Sequence, residues 1–276
     1  MESWLSTIWD MLRGIAPLAA AFAVLALVTK RRAIGAALRR MHGEARTNVL
    51  LYLFNGLVIA PLFLLPVAAV EAAVGGERWF EPFWKSVPEI VTLALAIVLI
   101  DLVTYWRHRL EHSPELWRYH ATHHADTALH WFSVQRKHPV SKVLAMLFDV
   151  VLVVALSFPE WAIIGAVLIR SWWGYFIHAD VPWTLGPLGA VLISPAAHRL
   201  HHIRDEALMG TNYGNTVTLW DRVFGTWMNP ALHLDCETGI AEGTRGFWGE
   251  LKRPWEARYR RSGEGASTTQ IAAEAG

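Results

Sequence analysis

The chain holds a single cysteine, Cys236, among 276 residues. That count excludes an internal disulfide and a cysteine-ligated iron–sulfur cluster. Charge is scarce as well: Asp, Glu, Lys and Arg make up 18% of the residues, and the formal net charge is +1. Without a basic excess no broad field draws nucleic acid, and no nucleic-acid partner is expected. Three short motifs are missing too: the HExxH pair of a zinc protease, a GxGxxG dinucleotide loop and an HPGG haem segment, since His138-Pro139 continues as Val140-Ser141.

What the chain has instead is apolar length and histidine. Hydrophobic residues make up 53% of it and the mean hydropathy is +0.26, a balance that points to an integral membrane protein. Several of its 15 tryptophans flank the apolar runs, as an interfacial belt would. The first run, Ile8 to Thr29, spans about 22 residues and is long enough to cross a bilayer at about 1.5 Å per residue. An acidic leader and the lack of a small-residue cleavage site read as an anchor, not a removable signal peptide. Lys30, Arg31, Arg32, Arg39, Arg40 and Arg46 follow, and the positive-inside rule makes that loop cytoplasmic and puts the N-terminus outside. Runs from Asn48 to Val70 and from Ile90 to Trp106 carry the chain out and back.

A fourth stretch, Leu144 to His178, is broken at Pro159 and Glu160 and reads as a helical hairpin whose ends share one side of the membrane. It contains two charges, Asp149 and Arg170, that either pair across the hairpin or leave Arg170 to snorkel. The expected fold is an all-α integral membrane helical bundle of about four apolar helices or hairpins with a cytoplasmic helical cap. Residues 1–86 form transmembrane anchor helices, 87–254 the catalytic unit, and 255–276 a polar, disordered tail on the cytoplasmic side.

Eleven of the 13 histidines fall between His108 and His202. Eight stand in three clusters: His108 and His112 as HxxxH, then His120, His123 and His124, and His198, His201 and His202, each as HxxHH. Residues three and four apart share a helix face, so each cluster aims two or three imidazoles at one point. Imidazole is a common ligand for iron, copper and zinc. Eight exceed what one tetrahedral ion uses, so the spacing predicts two metal ions in one pocket. The topology carries all eight to the cytoplasmic mouth.

In this order, with Arg136-Lys137-His138-Pro139, His178-Ala179-Asp180, Asn212-Tyr213-Gly214 and Trp220 to Thr226 between and after them, the clusters resemble the fatty acid hydroxylase and sterol desaturase superfamily of membrane di-iron enzymes. The resemblance runs from about Val87 to Trp227. It implies His108, His112, His120, His123, His124, His198, His201 and His202 as ligands, with His178 as a ninth. His138 is left as a ligand, an outer donor or a helix cap. His130 reads as structural, and His42 and His233 as solvated. Asp101 and Asp180 either orient an imidazole or serve packing; Asn212 and Asp221 read as locks on the cap, Gly214 and Gly225 as turns.

The implied chemistry is oxygenation of a lipid. Two iron ions can deliver electrons to dioxygen for attack on an unactivated C–H bond; zinc, which can replace iron in purified samples, cannot. The substrate class is a fatty acyl chain or sterol, and the electrons come from a separate ferredoxin, cytochrome or reductase. Open alternatives are a lipid desaturase, a carotenoid or ether-lipid oxygenase, and, from another class, a divalent-metal transporter, which would hold its ligands nearer the bilayer midplane.

Overall fold

Proline and charge set where the long apolar helices stop. The computed structural model describes residues 4–74 and 80–260, and among these no β-strand forms, only the isolated bridges Leu192–Val217 and Ile203–Thr238. Helix α1 (Trp4–Lys30) leads through a short turn, Arg31–Ala33, into α2 (Ile34–Phe54). Arg31 has φ 45°, a left-handed value that interrupts a right-handed helix. The chain reverses there, and the Tyr52 hydroxyl donates to the Met11 carbonyl at 3.3 Å, so the two helices run antiparallel. A π-turn at Asn55–Ile59 joins α2 to α3 (Ala60–Val74). The Asn55 side-chain amide donates to the Lys137 carbonyl at 2.9 Å, which ties this wide turn to the loop carrying the RKHP motif.

Helix α4 (Glu81–Ser86) is short; α5 (Glu89–Glu111) starts after Pro88 and runs for 23 residues. Two helical stretches are long and apolar enough to cross a membrane, Ser6–Pro66 and Glu89–Glu111. Their outward faces leave Val24, Leu27, Leu62, Leu65 and Ile90 exposed, Leu65 to 80%. Water would penalise such a surface by about 25 cal/mol per Å², and hydrocarbon does not. The chain is a membrane protein.

Helix α6 (Pro114–His124) follows at once. Helices α7 (Pro139–Leu156) and α8 (Glu160–Ile177) form the fourth apolar stretch, broken as expected before Glu160. They do not face each other closely; α5 packs on both. This corrects the Asp149–Arg170 pairing. Arg170 instead reaches Asp101 on α5, its Nε and Nη2 both 3.4 Å from Oδ1, and donates to the Thr104 hydroxyl at 2.7 Å. Asp149 is exposed. With α5 interposed, the charge nearest Arg170 comes from that helix.

The remaining chain is a cap of short helices: α9 (Pro195–His201), α10 (Leu219–Val223), α11 (Phe247–Lys252) and α12 (Ala257–Arg260). Tyr259 is buried with Ala121, Leu200 and Ile203, so the chain stays packed through residues 255–260, where composition alone reads as tail. The rest of that expected tail, residues 261–276, lies outside the described residues. At the far end of the bundle, the Trp84 indole donates to the Leu156 carbonyl at 2.8 Å and stacks on Phe158. One end is thus closed by aromatic packing and the other by histidines.

Candidate metal centre

Four helix ends bring the histidines together. His108 closes α5 and His112 caps it; His120, His123 and His124 form the last turn of α6; His178 caps α8; His198 and His201 lie on α9, with His202 as its cap. Local chemistry fixes where these helices start. Pro114 opens α6, and Pro195 opens α9 behind Ser194, whose hydroxyl accepts the Ala197 N–H at 3.1 Å, the usual arrangement for a helix start.

The nine imidazoles divide into two groups. His108, His112, His120, His124 and His201 form one; His123, His178, His198 and His202 form the other. Within each group every residue offers a donor nitrogen within 4.8 Å of the rest. Two nitrogens on opposite sides of an ion, each bonded at about 2.1 Å, would stand about 4.2 Å apart, so each group has the span of one coordination sphere. The groups share a wall, since the rings of His124 and His202 stack with centroids 4.3 Å apart.

The outer nitrogens settle which ring atoms are free. His108 Nδ1 lies 2.9 Å from the Tyr213 carbonyl, His201 Nδ1 2.7 Å from that of Thr211, His123 Nδ1 3.2 Å from that of Arg136, and His178 Nδ1 2.6 Å from that of Gly174. A carbonyl only accepts, so each Nδ1 carries the proton and each Nε2 keeps its lone pair turned inward. In the five-histidine group, Nε2 of His108, His112, His120 and His201 is buried without a hydrogen-bond partner. In the other group His178 Nε2 faces His123 Nε2 at 3.4 Å and His198 Nε2 at 3.0 Å. His123 and His178 thus point lone pair at lone pair with no proton between them, which is favourable only around a cation. Buried polar atoms left without partners are rare and need a reason, and two metal ions supply one.

Burial keeps these rings neutral, as ligation demands. Loss of solvent pushes His178 and His201 down to about 3 and holds His123, His124, His198 and His202 well below the usual histidine value, their imidazole neighbours adding to the effect.

The other expected site residues fall elsewhere. His138 lies outside both groups: its Nδ1 accepts the Val140 N–H at 3.2 Å at the start of α7, and its Nε2 lies 3.2 Å from the Leu251 carbonyl. Of its three readings the geometry gives the helix cap. Asp180 does not meet an imidazole; it pairs with Lys30 at 2.7 Å and Arg199 at 3.1 Å. Nor does Asp101, which accepts the Thr216 and Val217 N–H groups at 3.0 and 3.3 Å besides Arg170. Both acids were placed by sequence distance from a histidine, whereas what they meet comes from segments remote in sequence. His130 caps the short turn Trp131–Gln135, and Asp221 accepts the Tyr213 and Gly214 N–H groups at 2.7 and 2.8 Å. A side chain at Gly214 would run into the Val217 carbonyl 2.6 Å away, so this turn closes only around glycine.

Four residues outside the histidines and the expected acids also contribute: Glu111, Arg136, Glu44 and Asn48. Glu111, between the histidines of the first cluster, is buried with its Oε2 2.6 Å from Arg107 and 3.7 Å from His120 Nδ1. A carboxylate one residue before His112, at the end of an apolar helix, was a signal of its own. Arg136 is wholly buried. Its Nε donates to the Thr122 carbonyl, Nη1 to Glu44 and Asn48, and Nη2 to Thr244 and Glu250. Glu44 and Asn48 belong to α2, so that helix braces the arginine whose carbonyl meets His123.

A small cavity, about 60 Å³, opens on the histidines from the α5–α7 side, and Arg107, Glu111, Lys137 and Ser141 line it with five of the nine imidazoles. A larger one, about 650 Å³, lies between the α1–α2 hairpin and the cap; His130 is in its wall, but none of the nine.

An all-helical membrane protein with nine clustered histidines in two adjoining groups, eight of them buried and His112 partly so, fits the class of membrane proteins that hold metal on histidine clusters. The comparisons agree with that class. The model of the fatty acid hydroxylase family matches residues 93–226. Ornithine lipid hydroxylase OlsE of Rhizobium tropici is 27% identical over 199 residues, 71% of this chain and 60% of that protein. Alkylglycerol monooxygenase of Xenopus tropicalis is 29% identical over 49% of this chain and 30% of its own length. Very-long-chain aldehyde decarbonylase GL1-6 of rice, Oryza sativa, is 27% identical over 52% of this chain and 24% of its own. The chain thus spans under two thirds of each of these relatives. No solved structure matches it. The segment 93–226 thus belongs to the fatty acid hydroxylase family, and these relatives support the fatty acid hydroxylase and sterol desaturase superfamily.

Proposed function

We propose that this chain is a membrane-bound di-iron oxygenase that hydroxylates a C–H bond of a lipid with dioxygen and electrons from a separate donor protein. The observation that carries the reading is the pair of adjoining imidazole groups with inward, unpartnered nitrogens. His108, His112, His120, His124 and His201 would hold one ion, and His123, His178, His198 and His202 the other. When bound, two irons supply redox electrons for activating dioxygen at a C–H bond, which zinc does not.

The chain's own residues supply position and dryness. Carbonyls of Gly174, Arg136, Thr211 and Tyr213 fix the ring tautomers, and Glu111 aligns His120. The cap covers the centre, and excluding water protects a reactive oxidant from side reactions. The apolar helices let a lipid reach the site from the bilayer. We place the histidine end and the C-terminus at the cytoplasmic face and the N-terminus outside, with the Lys30–Arg46 basic loop as the support.

A desaturase, or a carotenoid or ether-lipid oxygenase, would use the same centre and differ in substrate placement. A divalent-metal transporter is disfavoured: the deeper charges, Asp101 and Arg170, pair with each other and with backbone groups. The test is lipid mass spectrometry of a host expressing the wild type or His123→Ala under oxygen-18. A label retained in a lipid with the wild type alone is expected; unlabelled loss of two hydrogens would make it a desaturase, and no lipid change would end the oxygenase reading.

A further inference from the structure

The small cavity beside the histidines has a wall that metal binding does not use. Arg107 and Ser141 are each more than nine-tenths buried and line it; Arg107 Nε and Ser141 Oγ have no hydrogen-bond partner. Lys137, in the same wall, forms no ion pair among the described residues. Glu111 is the one carboxylate in the wall, and Arg107 Nη1 already holds it at 2.6 Å. Two cations against one carboxylate leave a net positive charge, together with a free guanidinium N–H and a free hydroxyl.

Buried donors without acceptors are costly, and an anion is the ligand that satisfies such a set at once: an ammonium, a guanidinium edge and a hydroxyl all donate. Among the described residues no hydrogen bond joins any of these three donors to an imidazole: Arg107 Nε and Ser141 Oγ have no partner, and the outer nitrogens of His108, His120, His123, His178 and His201 meet backbone carbonyls or Glu111. The cavity is also flanked by two apolar helices. Thr104, in its wall, is on the membrane-length helix α5, while Lys137 and Ser141 stand at the start of α7. At about 60 Å³ it has room for a headgroup and not for an acyl chain.

The geometry points to an anion-recognition subsite formed by Lys137, Arg107 and Ser141, which holds the carboxylate or phosphate of an anionic lipid against the histidine centre. This rests on the oxygenase reading for its purpose and names the substrate class for it: a lipid whose headgroup bears a negative charge. The chain of such a lipid would leave the cavity toward the bilayer, and the carbons near its headgroup would lie closest to the imidazoles. Lys137 and Ser141 act here as positioning residues.

The test measures binding, not turnover. Metal-loaded full-length protein in nanodiscs of zwitterionic lipid is titrated with dodecanoate, dodecyl phosphate, dodecanol and acetate, with metal content measured on the same samples. Dodecanoate and dodecyl phosphate are expected to bind at least about tenfold more tightly than dodecanol, as charge-assisted contacts do. Lys137→Gln should lose that preference and Lys137→Arg retain it; Ser141→Ala should weaken both anions severalfold, with metal content unchanged throughout. Equal binding of dodecanoate and dodecanol, or a Lys137→Gln protein that keeps the preference, overturns the subsite. Acetate binding as tightly as dodecanoate does so too, because the site would then take a free small anion. Should the anions bind as expected while no lipid is oxidised under oxygen-18, the subsite stands and the oxygenase reading falls; the reverse result separates them the other way.

Discussion

The two histidine groups use the same ligand and are held in different ways. The five-histidine group is anchored from the cap and from a carboxylate: Tyr213 and Thr211 carbonyls hold His108 and His201, and Glu111 stands by His120. The four-histidine group takes His198 and His202 from the cap helix α9, while His178 is held by the carbonyl one turn back on its own helix and His123 by the backbone of Arg136. Both groups therefore take histidines from the cap, but the first is braced by cap carbonyls and a carboxylate and the second by helix backbone and the buried Arg136. Equal ligand chemistry does not make the two positions equally robust.

Replacing one histidine per group breaks the comparison most directly. His201→Ala and His123→Ala should each abolish lipid oxidation and lose at least one metal ion per chain by elemental analysis, while still inserting into membrane. His42→Ala, outside both groups, should match the wild type. Full metal retention in the first two would refute the ligand assignment.

Arg136→Met comes next. It strips five hydrogen bonds and leaves Glu44 buried without its cation, while Glu250 keeps Arg253 at 2.7 Å, a defect of about 3–5 kcal/mol. Unfolding in detergent should shift down markedly, and the four-histidine group should empty first as metal is titrated out. Glu111→Gln acts on the other group: loss of the carboxylate beside His120 should weaken one ion by about 10–100-fold and spare the second, since such outer partners typically carry that much affinity. Two equal metal affinities in that variant would remove the distinction between the groups.

The smallest effect is on acidity. His178 and His201 titrate near 3 when folded and near 6.5 when unfolded. Between those values the unfolded chain binds more protons, so metal-free protein is stabilised above about pH 6.5 and loses that stability as pH falls toward 3. Each such proton contributes up to about 1.4 kcal/mol per pH unit. Thermal unfolding of metal-stripped protein at pH 7, 6 and 5 should show a progressive fall; an unchanged midpoint would argue that the rings are not buried neutral. Metal loss in the folded protein should accordingly need a pH well under the free histidine value.

Much of the centre is legible in the sequence because a helix converts spacing into direction. Residues at i, i+3 and i+4 converge wherever the helix goes, so HxxxH and the two HxxHH runs announce their grouping before any tertiary contact is known. His178 stands alone, without spacing to mark it, and its place came through the resemblance alone. What spacing does not carry is which helix lies next to which. Spacing either pairs Arg170 with Asp149 inside one apparent hairpin or leaves it to snorkel, but α5 lies between the two legs and supplies Asp101. Asp180, two residues from His178, turns to Lys30 at the end of α1, 150 positions away in the chain. Glu44 and Asn48 looked like part of an anchor and sit instead around Arg136. Each depends on the rotation of one helix against another, set by packing across the whole bundle.

The segment from Thr211 to Tyr213 grips one imidazole from a membrane helix and one from the cap, His108 and His201, through neighbouring carbonyls. It works as a clasp: swinging the cap aside would twist both rings away from a common ion. On the proposed reading, cargo would then come and go sideways between the helices, with the roof kept shut.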